Sequence, residues 1–296
     1  MIRNGKVESV KQRLKNLANK QNKQFNDVLD IYFLERFLYR LSISKYNENF
    51  ILKGGMLLYV MFNEDYARKT TDIDLLAQKL SNDATEFLPI VKDICSIQTD
   101  DPIRFDINNI SVKNITEFKK ENHGLNVFIP AFLDRTKGMI NIDIGFGDVI
   151  YPEKIELSFP SLIDEESNLY AYSMETVIAE KLDAIVSLGA LNSRLKDFYD
   201  IYVISKTYDF DGNILKEAII ETFENRKTPF KHIVAFDDDF ISPYKKGQWN
   251  KFIKQKDPNH VMELEIVIEY IKRFIEPIIE SDISLSKWNH ISGEWK

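Results

Sequence analysis

The 296-residue chain has a single cysteine, Cys95, so an internal disulfide framework and a cysteine-built zinc site are both excluded. Such sparing use of cysteine fits a reducing cytoplasm, which is the expected location. No apolar run is long enough to span a bilayer. The basic N-terminal residues carry no apolar core, so no secretory signal and no membrane partner are expected. Glycine (11) and proline (9) are sparse, and neither a low-complexity segment nor an internal repeat is visible. Positive charge is also short. Lys and Arg number 39 against 46 Asp and Glu, a net −7, which argues against a general nucleic-acid binder.

What is present begins with apolar residues, 44% of the chain, ample for one large core or two smaller ones. The basic residues are uneven. Arg3, Lys6, Lys11, Arg13, Lys15, Lys20 and Lys23 crowd the first segment. A second group holds Arg226, Lys227, Lys231, Lys245, Lys246, Lys251, Lys254 and Lys256, with Tyr244 and Trp249 among them. Basic residues interleaved with aromatics can follow a phosphate backbone and stack bases; a solvated lysine-rich surface is the alternative for each group.

The chain is organised around Lys53 to Leu76. Gly54-Gly55 follow apolar Phe50-Ile51-Leu52 and precede a helix-like Met56 to Phe62. A glycine turn opening a helix lets backbone N–H groups approach a phosphate. Arg68, Lys69, Thr70 and Thr71 come next, then Asp72-Ile73-Asp74-Leu75-Leu76, which reads as a strand. Residues i and i+2 of a strand share a face, so Asp72 and Asp74 aim together. Paired carboxylates repel unless a cation sits between them, and hard oxygen ligands suit Mg²⁺ or Mn²⁺. Asp143, in Ile142-Asp143-Ile144-Gly145-Phe146, is the candidate third carboxylate; the alternative is an edge-strand aspartate facing water.

Elsewhere Val7, Val10, Leu14, Leu17 and Ala18 mark one helix. Leu29, Tyr32, Phe33, Phe37, Leu38 and Leu41 mark a core helix capped at Asn26-Asp27. Ser81-Asn82-Asp83 opens another. Ile103 to Phe118, Leu125 to Leu133 and Met139 to Phe146 read as an antiparallel meander with turns at Asn-His-Gly and Thr-Lys-Gly. Residues 151–172 read as loop. Ser173-x-x-Thr176 starts a helix that stops at Gly189, and further helices cover 194–204, 213–224 and 261–274. The expected domains are 1–160, N-terminal helices with an α/β domain, and 161–296, a helical domain that completes the site.

A second cluster lies in the helical half. Lys181 sits among apolar residues in Ala-Glu-Lys-Leu-Asp-Ala-Ile. Asp197 and Asp200 share a helix face beside Arg194. Charge spacing alone would make these a solvated helix with internal ion pairs.

Gly-Gly followed by a short helix and Asp-x-Asp on a strand resembles the nucleotidyltransferase superfamily of DNA polymerase β. Taken in order, Gly54-Gly55, Arg68-x-Thr70-x-Asp72-x-Asp74, Ile142-Asp143-Ile144-Gly145-Phe146, the Lys181 segment and Arg194-Leu195-Lys196-Asp197-Phe198-Tyr199-Asp200 resemble the AbiEii/AbiGii toxin family, which includes the MenT toxins. The resemblance runs over residues 30 to 205. It implies an α+β fold: a mixed nucleotidyltransferase sheet with flanking helices, plus a helical C-terminal domain. It implies a metal-dependent nucleotidyltransferase of a bacterial toxin–antitoxin or abortive-infection (phage-defence) system. Such an enzyme adds NMP from an NTP, GTP or CTP, to the 3′ end of tRNA and so blocks translation. A cognate antitoxin encoded nearby, which need not contact the toxin, would be its partner.

Carried residue by residue, the resemblance makes Gly54, Gly55, Arg68, Thr70, Lys181 and Asp200 nucleotide-binding. Asp72, Asp74, Lys181 and Asp197 become catalytic, and Asp72, Asp74 and Asp143 hold Mg²⁺ or Mn²⁺. One departure is Gly55, where related transferases often carry serine. Two other functions stay open: nucleotidyl or phosphate transfer to a protein or small molecule, and a non-catalytic GTP-binding regulatory module.

Overall fold

The structure is a computed structural model that describes residues 2–62, 72–115, 124–229, 232–256, 261–280 and 286–296. The chain divides into two compact units. The first holds residues 1–147 and 155–171, the second 148–154 and 172–296.

The first unit opens with helices α1 (Ile2–Lys20) and α2 (Phe25–Ser42), then β1 (Phe50–Lys53), α3 (Gly54–Met61), β2 (Asp72–Ala77) and α4 (Ala84–Ser96). Strands β3 (Ile103–Phe105), β4 (Ser111–Asn114), β5 (Leu125–Leu133), β6 (Thr136–Phe146), β7 (Ile155–Phe159) and β8 (Ser167–Ala171) follow. All eight strands form one sheet in the order β3-β5-β6-β2-β1-β8-β7, with β4 also on β5. It is mixed: β2 runs parallel to β6 and β1 parallel to β8, while the other pairings are antiparallel.

Alternation builds much of this sheet. Leu125, Val127 and Ile129 of β5, Ile140, Ile142 and Ile144 of β6, and Ile73 and Leu75 of β2 are buried, and most of their neighbours stay half exposed. Towards its centre both faces are covered: Phe50, Ile51 and Leu52 of β1 and Leu75, Leu76 and Ala77 of β2 are all buried. The α2 helix lies against β6 and β8. It comes so close to β6 that a methyl group on Gly138 would stand 2.5 Å from the Phe33 ring. Gly138 is therefore a strand residue, and the turn between β5 and β6 falls two residues earlier than Thr-Lys-Gly. Asp134 makes it, with a left-handed φ of 56° that aspartate tolerates better than most residues.

The segment read as loop at 151–172 contains β7 and β8. Their alternation, Leu157 and Phe159 in one strand and Leu169 and Ala171 in the other, is short and flanked by prolines and acids, which masks it. The acidic turn between them is tied to α2. Tyr32 donates to Asp164 at 2.5 Å, Arg36 Nη2 donates to the Glu165 carbonyl at 3.1 Å, and Glu35 accepts from Leu162 N at 3.1 Å. Burial, with the Asp164 bond second, pushes the Tyr32 hydroxyl well above the usual tyrosine range. The α2 helix starts at Phe25, with Gln24 rather than Asn26 at its cap position. Asp83 does cap α4, accepting from Thr85 N at 2.8 Å and Glu86 N at 3.2 Å.

The second unit is mostly helical: α5 (Met174–Leu188), α6 (Leu195–Ser205), α7 (Gly212–Asn225), α8 (Pro243–Lys256) and α9 (Leu264–Glu280), with short strands β9 (Phe210–Asp211), β10 (Lys287–Asn289) and β11 (Glu294–Trp295). Ser173 caps α5 through Thr176 N at 3.2 Å, and Gly189 ends it with φ 51°. Asp211 caps α7 through Asn213 N at 2.9 Å. Trp249 and Trp288 are fully buried, and each indole N–H donates to a backbone carbonyl at 2.6 Å, those of Met262 and Ser205. Trp249 is thus a core residue and cannot stack a base. Tyr244 remains exposed. No described helix is long and apolar enough to cross a membrane.

Candidate active site

Sheet register assembles the acidic site in the first unit. In the parallel β2–β6 pair, Asp74 stands opposite Asp143 and Asp72 opposite Asn141. In the antiparallel β1–β2 pair, Lys53 stands opposite Asp74, and on β5 Asn126 stands opposite Asp143. Directly opposed residues share a face. Asn126, Asp143, Asp74 and Lys53 therefore form one row across four strands, with Asn141 and Asp72 one step along. Ile73, Leu75, Ile142 and Ile144 fill the opposite, buried face. Three carboxylates from two strands thus share a half-exposed surface, and the pleat alone puts them there.

The glycine turn meets the same row. Lys53 is extended (φ −138°, ψ −170°), Gly54 is left-handed (φ 65°), and α3 begins there. Gly55 N donates to Asp74 Oδ2 at 3.3 Å, so the helix N-terminus already faces an anion. A Cβ on Gly54 would lie 2.5 Å from Asp74 Cγ. Glycine is required at 54 on two counts, backbone angle and closeness of Asp74. Gly54→Ala is expected to cost about 2 kcal/mol in stability from the left-handed strain and clash. It should also push Asp74 out of line. The check is a thermal melt beside a nucleotide-transfer assay, with Gly5→Ala in α1 as control, since a methyl group there meets nothing within 4 Å.

The carboxylates are held by amides. Asn126 Nδ2 donates to Asp143 Oδ1, and Asn141 Nδ2 donates to Asp72 Oδ1 at 3.4 Å. Sequence reasoning passed over both asparagines; their alternation with Val127 and Ile142 was the available signal. Among the described residues no three His, Cys, Asp or Glu side chains are gathered tightly enough to hold a metal ion as they stand. The donor set still fits one. Asp74 and Asp143 are like charges on directly opposed strand positions, an unfavourable pairing that a divalent cation relieves, and their oxygens are the hard ligands Mg²⁺ prefers. Arg68 and Thr70 lie outside the described residues.

The second cluster belongs to the second unit. Lys181 on α5 reaches Asp197 Oδ1 at 3.4 Å and Asp200 Oδ2 more closely, both on α6. Asp197 and Asp200 are fully buried. Arg194 Nε stands 3.0 Å from Asp197 Oδ2 but is not aligned to donate, so among the described residues that oxygen accepts no hydrogen bond. The Lys-Asp-Asp set is therefore a buried ion-pair group at α5–α6 rather than a solvated helix face.

A further group escaped the sequence reading, which put Arg226 on a basic surface. Arg226, at the end of α7, instead joins three carboxylates: Asp148 and Glu180 through Nη2 at 2.8 and 2.7 Å, and Asp183 through Nη1 at 3.0 Å. Burial opposes its charge, but Glu180 and Asp148 more than offset that and raise its pKa above the ordinary arginine value.

Comparison with known proteins bears on both clusters. No curated protein matches the chain. Among solved structures the chain is similar to a candidate nucleotidyltransferase from H. pylori (12% identity, TM-score 0.44, 84% of this chain and 97% of that one) and to JHP933 from Helicobacter pylori (13%, TM-score 0.43, 86% and 96%). The profile of the family described as "Nucleotidyl transferase AbiEii toxin, Type IV TA system" matches residues 36–265, a stretch that takes in the glycine turn, the carboxylate row and the Lys181 group alike. The chain belongs to the AbiEii family of nucleotidyltransferase toxins from type IV toxin–antitoxin systems.

Proposed function

We propose that this toxin transfers a nucleoside monophosphate from an NTP, GTP or CTP, to the 3′ end of tRNA, and that the added nucleotide blocks translation. The observation that carries the chemistry is the register that sets Asp143 opposite Asp74, one step from Asp72, at the glycine turn where α3 begins. In this reading the backbone N–H groups at Gly54 and Gly55 receive the triphosphate. Asp72, Asp74 and Asp143 would hold Mg²⁺ or Mn²⁺, which supplies charge neutralisation at the α-phosphate and the leaving pyrophosphate. One of the three carboxylates takes the proton of the attacking 3′-hydroxyl as the new P–O bond forms and the bond to pyrophosphate breaks. Arg68 and Thr70 add phosphate contacts. Lys181 supplies a cation for the β- and γ-phosphates, with Asp197 and Asp200 holding its ammonium in place.

Family membership implies a cognate antitoxin. We place it in a neighbouring gene, acting without a stable complex.

The acceptor is tested by incubating the protein with each labelled NTP, Mg²⁺ and a lysate. Label in the tRNA fraction, lost on prior periodate oxidation of the 3′ ends, is the expected result. Label confined to protein would replace the RNA reading with protein modification, which the net charge of −7 favours mildly. Tight GTP binding with no pyrophosphate released would make the chain a regulatory module instead.

A further inference from the structure

The carboxylate row is one end of a longer surface. On its face of the sheet β5 places Asn126, Phe128, Pro130 and Phe132, and β6 places Asp143, Asn141, Met139 and Lys137, paired in that order. Pro130 is buried; the others stay at least partly exposed, Met139 by 48%. From Asp143 to Lys137 the strip is about 20 Å long. The open face of an antiparallel pair ordinarily carries polar residues. Beyond the carboxylates this one carries Phe128, Met139 and Phe132.

Cations border both rings. In register, Phe132 stands between Arg104 on β3 and Lys137 on β6, both exposed. The Arg104 guanidinium lies 4.3 Å from the centre of the Phe132 ring. Lys113 of β4, exposed and opposite Asn126, brings its ammonium 5.5 Å from the centre of the Phe128 ring. The acidic residues of the adjoining turns have partners of their own: Asp134 pairs with Lys11 at 3.2 Å, and Asp106 accepts from Asn109 at 2.9 Å. Sheets that take single-stranded RNA use the same parts. Bases stack on aromatic rings or arginine planes of an open face, while cations meet the phosphates. Lysine and arginine stems also shield apolar surface, so ring and charge need separate tests.

We propose that this strip is the track for the unpaired 3′ segment of the RNA acceptor, with bases stacking at Phe128 and Phe132 and phosphates meeting Lys113, Arg104 and Lys137. This rests on the reading of the carboxylate row as the place where the acceptor's 3′-hydroxyl reacts. A strand whose 3′ end lies at Asp74 and Asp143 then passes Phe128 first and Phe132 after it.

The test is steady-state transfer from labelled NTP to tRNA by the full chain, with thermal melts alongside. Phe132→Leu keeps an apolar cover but loses the ring. It is expected to raise the KM for tRNA about 10-fold, with the KM for NTP near wild type, and Phe132→Tyr should restore it. Arg104→Gln with Lys137→Gln removes two phosphate contacts. It should make the fall of log kcat/KM for tRNA with log salt concentration shallower by about 1.4. Both positions are exposed, so this pair serves where Phe132→Leu fails to fold. Folded variants with the wild-type KM for tRNA and the wild-type salt slope overturn the track while leaving transfer to RNA intact. Wild type that labels no RNA removes the RNA acceptor, and the track with it.

Discussion

Asp74→Ala is expected to abolish nucleotide transfer while leaving the fold as stable as wild type or more so. Among the described residues Asp74 has three relations. It stands opposite Asp143 on β6, opposite Lys53 on β1, and accepts from Gly55 N at the start of α3. The first is repulsive, because like charges at directly opposed strand positions disfavour each other. Removing the carboxylate relieves that repulsion and leaves the N–H of Gly55 to water. Neither change costs much, and the core residues behind it, Ile73 and Leu75, are untouched. Activity is a different matter. Asp74 accepts from Gly55 N in the glycine turn, so under the proposed function, in which that turn takes the triphosphate, its loss would remove ligand charge where charge develops in the transition state. A loss of about 10³-fold or more in rate is the expected size for such a group, equivalent to about 4 kcal/mol. The check is initial rate of label transfer beside a thermal melt. An inactive variant that melts at or above the wild-type temperature fits a site that trades stability for function. A fully active one would move the chemistry elsewhere.

The sheet explains why this site was legible from sequence. Asp72-x-Asp74 and Ile142-Asp143-Ile144 carry their own geometry, since a period of two fixes the face of every side chain once the strand is assigned. That the two strands are neighbours, and parallel, is a long-range fact; no local pattern around Asp143 specifies that it will stand opposite Asp74. The helix starts at Asp83 and Ser173 were readable for the same reason as the aspartates, because a cap is a local event. The β7 and β8 strands were not, because two alternating pairs of apolar residues between prolines and acids resemble a loop. Trp249 misled for a related reason: lysines surround it in sequence, yet its helix turns it inward onto the Met262 carbonyl. For the polar partners of the carboxylates, Asn126 and Asn141, alternation gives the face, but which aspartate each one meets is set by register.

Arg226 makes the strongest case for the unreadable part, and its removal is expected to destabilise the second unit strongly. Sequence alone assigns it to a basic surface beside Lys227. In the fold it leaves the end of α7, where its side chain is only 18% exposed, and its guanidinium meets Asp148, Glu180 and Asp183 at 2.8, 2.7 and 3.0 Å. Glu180 also accepts from Tyr172 at 3.2 Å and Asp183 from Thr228 at 2.5 Å, so the group ties α7, α5 and the 148–154 segment together. Arg226→Ala leaves three carboxylates close to one another with their shared cation gone. Breaking a buried ion group in this one-sided way typically costs about 3–5 kcal/mol. For a unit of this size that corresponds to a melting temperature lower by about 10–20 °C. Arg226→Lys keeps the charge but cannot present a planar fork to three acceptors, so an intermediate loss is expected. Arg226→Ala combined with Asp183→Asn and Glu180→Gln removes most of the uncompensated charge and should recover part of the stability; that recovery separates charge imbalance from lost packing. Hydrogen exchange gives the local readout. Because Glu180 and Asp183 flank Lys181 on α5, the single Arg226→Ala variant should lose protection first along that helix, whereas a surface arginine would leave it unchanged.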